Sequence, residues 1–295
     1  GTVTDDMIGG VINPNSIYPF PDFEPERTKS YELGLNLRLW NNRINIDATL
    51  YQSNTYKQLF LSSLPPTSGY SGFYVQTGNV RNRGIELSIG YTDKFGSFGY
   101  STNVTYTANE NKILRMARGY VNPIDKSTFD ITELTLTEAG GVYLREGGSI
   151  GDVYVKGILQ RDRNKMLVEE GGGYQIDRSQ RIKIGSANPD YTIGWRNDFN
   201  WKGLNLGLLF NVRVGGIVTS QTQAYLDAYG VSKESLKARE NGGVWVDGVQ
   251  YDAEKYYNTI GGQNLMAYYA YSATNVRLQE ASLSYTFPKK WFGNV

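Results

Sequence analysis

The feature that most constrains this chain is a period-two alternation of apolar and polar residues, kept up over runs of about 10–13 residues where strands of soluble proteins usually reach about 5–6. From Tyr31 to Leu39, the residues Tyr31, Leu33, Leu35, Leu37 and Leu39 share one face, and Glu32, Gly34, Asn36 and Arg38 share the other. Asn41-Asn42 follows, a pair that tolerates the positive φ of a tight turn. Ile44, Ile46, Ala48 and Leu50 then alternate with Asn45, Asp47 and Thr49. A second hairpin is expected from Ile85–Tyr91, a Lys94–Ser97 turn and Phe98–Tyr106. A third runs from Tyr191 through a Lys202-Gly203 turn to Val214. One more strand covers about Val276 to Phe287, and another pair is expected near Val153–Leu159 and Tyr174–Ile184, with Gly171-Gly172-Gly173 at its tip. That makes about nine strands.

Composition removes many chemistries. Lys and Arg total 30 against 29 Asp and Glu, a net charge of +1, which gives no support to a nucleic-acid-binding field. The 295 residues include no Cys and no His, so disulfides, thiolate metal sites, the usual zinc ligands and Ser-His-Asp or Cys-His catalysis are excluded within the chain. No stretch approaches the roughly 20 apolar residues of a membrane-spanning helix. A closed β-barrel needs none, because its strands satisfy one another's backbone groups in lipid.

Both a soluble β-sandwich and a membrane barrel alternate. Three properties favour the barrel. The strands are long enough to cross the hydrocarbon when tilted, which takes about 9–11 residues. Turns of roughly 2–4 residues alternate with long connections over 52–81, 110–150 and 216–274, as short periplasmic turns alternate with long external loops. Charge is segregated: the apolar faces of the three hairpins carry none, and the opposite faces carry Glu32, Arg38, Asp47, Glu86, Arg196, Asp198 and Arg213. Tyr31, Trp40, Tyr91, Phe98, Tyr191 and Trp201 lie near strand ends, where interfacial aromatics belong. The expected fold is an all-β, antiparallel transmembrane barrel segment with short periplasmic turns and long extracellular loops. An open sheet has two unpaired edges that lipid does not tolerate, so the segment is not expected to form a pore alone. The alternative is a soluble β-sandwich that binds carbohydrate, in which Leu35, Leu37, Leu206 and Leu208 would be buried against a second sheet.

Six local motifs, in order along the chain, resemble the SusC/RagA family of TonB-dependent transporters. They are Glu24–Gly34, Asn41–Asp47 with Tyr51, Gly78–Leu87, Arg145–Tyr154, Asn188–Gly194 and Arg277–Pro288. The resemblance implies that residues 1–295 are part of a barrel of about 22 strands, with the plug domain, the TonB box and the last strands outside the chain. It implies import of an oligosaccharide or oligopeptide across the outer membrane of a Gram-negative, Bacteroidetes-like cell, without enzymatic activity or cofactor. The partners it implies are a SusD-like surface lipoprotein and the TonB–ExbB–ExbD complex.

Within the chain, the loop aromatics Tyr225, Tyr229, Trp245, Tyr256 and Tyr257 are the candidates for stacking on substrate or meeting a lipoprotein lid; packing of the loop on itself is the alternative. Glu32, Arg38 and Arg196 are candidates for lumenal contacts, against simple solvation or cross-strand pairing. Asp162 and Asn164 have part of a calcium-loop pattern but lack its Gly and terminal Glu. Glu169-Glu170 reads as a solvated pair, since neighbours on a strand face opposite ways. Gln221–Arg239 reads as a short helix inside a loop, with Ser232 as an N-cap.

Overall fold

A computed structural model of the chain describes residues 7–8, 11–12, 17–18, 24–64, 68–76, 78–121, 127–136 and 142–288. Among them the longer strands are β1 (Arg27–Leu39), β2 (Ile44–Tyr56), β3 (Asn79–Phe95), β4 (Phe98–Arg115), β5 (Asp152–Leu159), β6 (Ile176–Ser186), β7 (Tyr191–Trp201), β8 (Leu204–Val214) and β9 (Asn275–Tyr285). Seven of them form one antiparallel sheet in the order β9-β8-β7-β4-β3-β2-β1. Strands β5 and β6 form as expected, but among the described strands they pair only with each other. The wall is therefore seven strands, not nine. The connection expected over 110–150 extends from residue 116 to 190 and contains that pair.

The turns cluster at one end of the sheet. Trp40, Asn41 and Asn42 are all left-handed, with φ of 49°, 56° and 64°, and Arg43 N–H closes the turn on Trp40 O at 3.1 Å. Gly96 and the Lys202-Gly203 pair supply the positive φ at the other two turns. The long connections all leave from the opposite end.

Register sorts the side chains into rows across the sheet. On one face a row reads Leu37, Ile46, Ile89, Val104, Trp195, Phe210 and Leu278. The next reads Leu35, Ala48, Leu87, Tyr106, Ile193, Val212 and Val276. Strand β9 keeps this pattern only through a bulge. Leu278 and Leu283 are an odd number of residues apart and would face opposite ways on a regular strand. Glu280 pairs with Leu209 and Leu278 with Phe210, so Gln279 is the extra residue that returns both leucines to one face.

Nothing among the described residues covers this face. Leu33 is 70% exposed, Leu35 53% and Leu206 38%, which contradicts the burial that the sandwich alternative requires. A continuous apolar surface of this kind marks a membrane or protein contact. Its lowest row, at the short-turn end, is Phe95, Phe98, Trp201, Leu204 and Tyr285, an aromatic band. From Phe95 to Ile85 along β3 is ten residues, a rise of about 34 Å along the strand and about 24 Å in height at a 45° tilt. That matches the apolar band of about 25 Å on outer-membrane barrels.

Polar groups on the apolar face are satisfied locally. Tyr100 OH donates to Asn197 Oδ1 at 2.8 Å, and Trp195 Nε1 donates to Thr102 Oγ1 at 3.1 Å. Thr102 Oγ1 in turn donates to the Arg196 carbonyl at 2.9 Å. Asp93, at the short-turn end, is paired with Arg43 at 3.2 Å. Each would otherwise carry an unpaired polar group into an apolar surrounding.

Towards the long connections the two faces exchange character. On the outer face the next rows are Tyr31, Gln52, Arg83 and Glu110, then Lys29, Asn54, Arg81 and Lys112. On the other face at that level, Val80 and Ile113 enter a buried cluster with Val75, Met116, Ile131, Leu134 and Leu144. The apolar side thus moves from outside to inside where the band ends.

A second compact unit comprises Asp152–Asn188 and Gly216–Ala273. It holds β5, β6 and the helices α1 (Gln221–Ala228), α2 (Lys233–Glu240) and α3 (Ala253–Gly262) around Leu159, Leu167, Tyr174, Ala224, Ile260, Leu265 and Tyr269. The single helix expected over Gln221–Arg239 is two. Ser220 caps the first through Gln223 N–H at 3.1 Å, and Ser232 caps the second through Ser235 N–H at 2.9 Å.

Arginine at Ile89 is expected to lower stability in a bilayer by about 2–4 kcal/mol, while arginine at Ser88, one residue away on the polar face, changes it little. Denaturant titration of the intact protein folded into lipid vesicles measures both.

Candidate functional site

The polar face of the sheet carries a charged cluster built by three neighbouring strands. Arg196 on β7 binds Asp198 on the same strand, Nε to Oδ2 at 2.9 Å and Nη2 to Oδ1 at 3.0 Å. Its Nη1 reaches Glu280 Oε2 on β9 at 3.1 Å, across β8, where Gly207 leaves room. Ser282 Oγ donates to Glu280 Oε1 at 3.2 Å. These side chains are 41–44% exposed, so the ion pairs stabilise little. Two carboxylates on one guanidinium leave a net negative polar surface. It borders a cleft of about 680 Å³ at the short-turn end, also lined by Thr92, Lys94, Ser101 and Asn205. Glu32 and Arg38 lie on the same face of β1, in other rows from Arg196 or at the far edge of its row.

Further along this face, the motif residues form a connected structure. The Tyr51 ring lies over Gly84, where an added Cβ would come within 2.6 Å of the phenol oxygen, and Tyr51 OH donates to Asn109 Oδ1 at 3.1 Å. Asn111 Nδ2 donates to Asn82 Oδ1 at 2.9 Å, and Asn111 Oδ1 accepts from Ile150 N–H at 2.8 Å and Ser149 Oγ at 3.1 Å. Gly147 and Gly148 exchange backbone bonds with Ile113, both at 2.8 Å. Glu146 accepts from Met116 N–H at 3.1 Å and from Arg118 Nη2 at 2.6 Å. The Arg145–Tyr154 motif therefore begins by pinning its connection against the inner side of the wall. The hydrogen bond from Arg118 holds the Glu146 carboxyl below the usual glutamate range, with the Met116 amide adding to it.

The five loop aromatics separate into two groups. Tyr225, Tyr229 and Trp245 are exposed, Tyr229 by 80%. Tyr256 and Tyr257 pack against the core of the second unit. Their rings meet edge to face at 5.5 Å, and Tyr256 also meets Tyr268. Burial pushes the Tyr256 phenol up to about 12. Tyr229 and Tyr257 line a cleft of about 350 Å³ with Asp227, Ser235, Arg239 and Glu254. Asp227 is buried and accepts from Gln223 Nε2 at 3.0 Å. Burial first, then the Asp227 carboxylate, pushes Tyr269 far above the phenol range, so this phenol stays protonated at any physiological pH. Trp245 sits on the separate Val244–Tyr251 hairpin. Helix α3 was not anticipated, although Asp252 followed by Glu254 is an N-terminal signal; Asp252 Oδ1 accepts from Lys255 N–H at 2.8 Å.

Asp162 Oδ1 accepts from Asn164 and Met166 N–H, at 2.8 and 2.9 Å, which closes a local turn. Glu169 pairs with Lys255 at 3.0 Å.

The profile of a family described as "TonB dependent receptor-like, beta-barrel" matches residues 3–291. TonB-dependent receptor P3 of Formosa agariphila is 24% identical over 99% of this chain and 30% of its own length. TonB-dependent receptor P39 of the same organism is 22% identical over 89% of the chain and 29% of its own. Among solved structures, one described as "Structure of the RagAB peptide transporter" aligns over 92% of this chain and 30% of its own, with a TM-score of 0.66 and 18% identity. The chain spans about 30% of the length of these proteins.

Glu146 has a depressed carboxyl, so its contribution is present at neutral pH and is lost as pH falls through its folded value, below the ordinary glutamate range of about 4.3. Amide protection at Met116 and Ile113, measured relative to the intrinsic exchange rate at each pH, is expected to fall in that acid window, and Glu146→Gln is expected to abolish this pH dependence of protection.

Proposed function

Because the chain belongs to the TonB-dependent receptor β-barrel family, we propose that it forms part of the wall of an outer-membrane importer for oligopeptides or oligosaccharides. The observation that carries this reading is the apolar face, continuous across seven strands and uncovered among the described residues, with a polar face behind it. The backbone ladder satisfies the five interior strands internally, as lipid requires. The polar face would line the lumen. The short turns would be periplasmic and the long connections extracellular. The likeness of fold to the RagAB peptide transporter supports a peptide substrate over a glycan.

In this reading the complete protein works with TonB–ExbB–ExbD and with a SusD-like surface lipoprotein in the outer membrane of a Bacteroidetes-like cell. It carries no cofactor and performs no covalent chemistry on its cargo. Tyr225, Tyr229 and Trp245 are the contact candidates for substrate or lid, because they are large, exposed and carried on ordered elements. Tyr257 contributes the wall of the cleft beside Tyr229, and Tyr256 supports Tyr257 from the core.

Uptake of labelled peptide and glycan mixtures, in cells with and without TonB, tests the function. Import that requires both the receptor and TonB is expected; a receptor deletion that leaves uptake of every mixture unchanged would falsify it. Tyr229→Ala combined with Trp245→Ala is expected to reduce uptake or lipoprotein retention by about fivefold or more, the effect of losing an interfacial aromatic anchor. Barrel folding should be unchanged, as read by heat-modifiable migration on gels.

A further inference from the structure

The charged rows directly above the outer apolar band have a use that import does not need. Resting on the membrane reading above, we propose that Lys29, Arg81, Arg83 and Lys112, with Arg27 beside them, bind the phosphate groups of a lipid in the outer leaflet.

Register places these residues. Lys29, Asn54, Arg81 and Lys112 form one cross-strand row on the outer face, and Arg83 and Glu110 lie in the row below it. Arg27 follows Lys29 on the same face of β1, opposite Tyr56. Glu110 is the one carboxylate in these rows. It bonds Arg83 and lies 3.7 Å from Arg81. Among the described residues, no carboxylate pairs with Arg27, Lys29 or Lys112. The Lys29 ammonium lies 5.9 Å from the centre of the Tyr56 ring.

Two physical points identify the occupant. Arg81 and Lys112 stand directly opposite each other on one face of an antiparallel pair. Like charges in that position destabilise a sheet, and Glu110, shared between Arg81 and Arg83, offsets only one of these cations. The height is also specific. Arg83 and Arg81 lie two and four residues beyond Ile85, about 5 and 10 Å above the apolar band at a 45° tilt. That is headgroup level, and the side chains point away from the lumen. A cluster of four to eight cations at such a level binds anionic headgroups, and guanidinium groups suit phosphate because they donate two parallel hydrogen bonds. A substrate in the lumen would not meet this face.

The test uses the complete receptor in lipid nanodiscs of zwitterionic phospholipid doped with a bisphosphorylated glycolipid or with its dephosphorylated form. Retained lipid is counted by native mass spectrometry after purification. Wild type is expected to retain the phosphorylated lipid at least tenfold over the dephosphorylated one. Arg81→Gln with Arg83→Gln and Lys112→Gln is expected to remove that preference. Arg38→Gln, on the opposite face of β1, is expected to keep it. Heat-modifiable migration establishes that each variant is folded, and the single variant Lys112→Gln, expected to lose part of the preference, serves if the triple one does not fold. Equal retention of both lipids by folded wild type, or an undiminished preference in both Gln variants, overturns the proposal and leaves the membrane reading intact. Failure of the wild type to enter a bilayer overturns both.

Discussion

Backbone hydrogen bonding in a medium without water governs this structure. A strand in hydrocarbon must give every N–H and C=O to a neighbour, because each group left over costs several kcal/mol. The seven-stranded ladder does this for its interior strands. Once the ladder is fixed, alternation decides the rest, since each residue faces either lipid or the lumen. The same requirement reaches the side chains. Asn197 and Thr102 face outward within the band, and each is tied to a neighbouring Tyr or Trp. Gln279 is bulged so that Leu278 and Leu283 face the same side.

The ladder also explains the arrangement of the inner face. Small residues allow large ones to cross it: Gly84 lies under Tyr51, and Gly207 leaves space for Arg196 to reach Glu280. At the long-connection end the inner face becomes apolar and binds the connections through Val80 and Ile113. The loops at that point are held by an asparagine chain and by Glu146, so part of the extracellular surface is as firmly fixed as the wall. A binding surface gains from this, because ordered contact residues lose less freedom when a partner arrives.

Much of the wall was legible from sequence because its rule has a short period. Tyr31–Leu39 and Ile44–Leu50 could be assigned to faces residue by residue, and the tight turns were marked by Asn41-Asn42 and Lys202-Gly203. What failed was non-local. The pair β5–β6 has strand-like composition, yet nothing in it says that it bonds only to itself. Gln221–Arg239 reads as one helix by composition, whereas Gly230 at φ 68° ends the first helix and separates it from the second. The loop aromatics could be named but not sorted, since Tyr225 and Tyr256 differ only in what tertiary packing places around them. The Arg196–Glu280 contact joins residues 84 apart and follows only from the order of strands. The face exchange beyond Ile85 was present in the sequence as Arg83 and Arg81 in phase with Ile85 and Leu87, but it needed the register to be recognised.

The central claim is that the apolar face of the sheet meets lipid. The absence of cysteine from this chain allows a direct measurement. Single cysteines at Ile85, Glu86, Leu87, Ser88 and Ile89 of the complete receptor, each carrying a small fluorophore, are placed in bilayers whose acyl chains carry a nitroxide quencher. Strong quenching at Ile85, Leu87 and Ile89 with weak quenching at Glu86 and Ser88 is the predicted result. Uniformly weak quenching, or an alternation in the opposite phase, would contradict it.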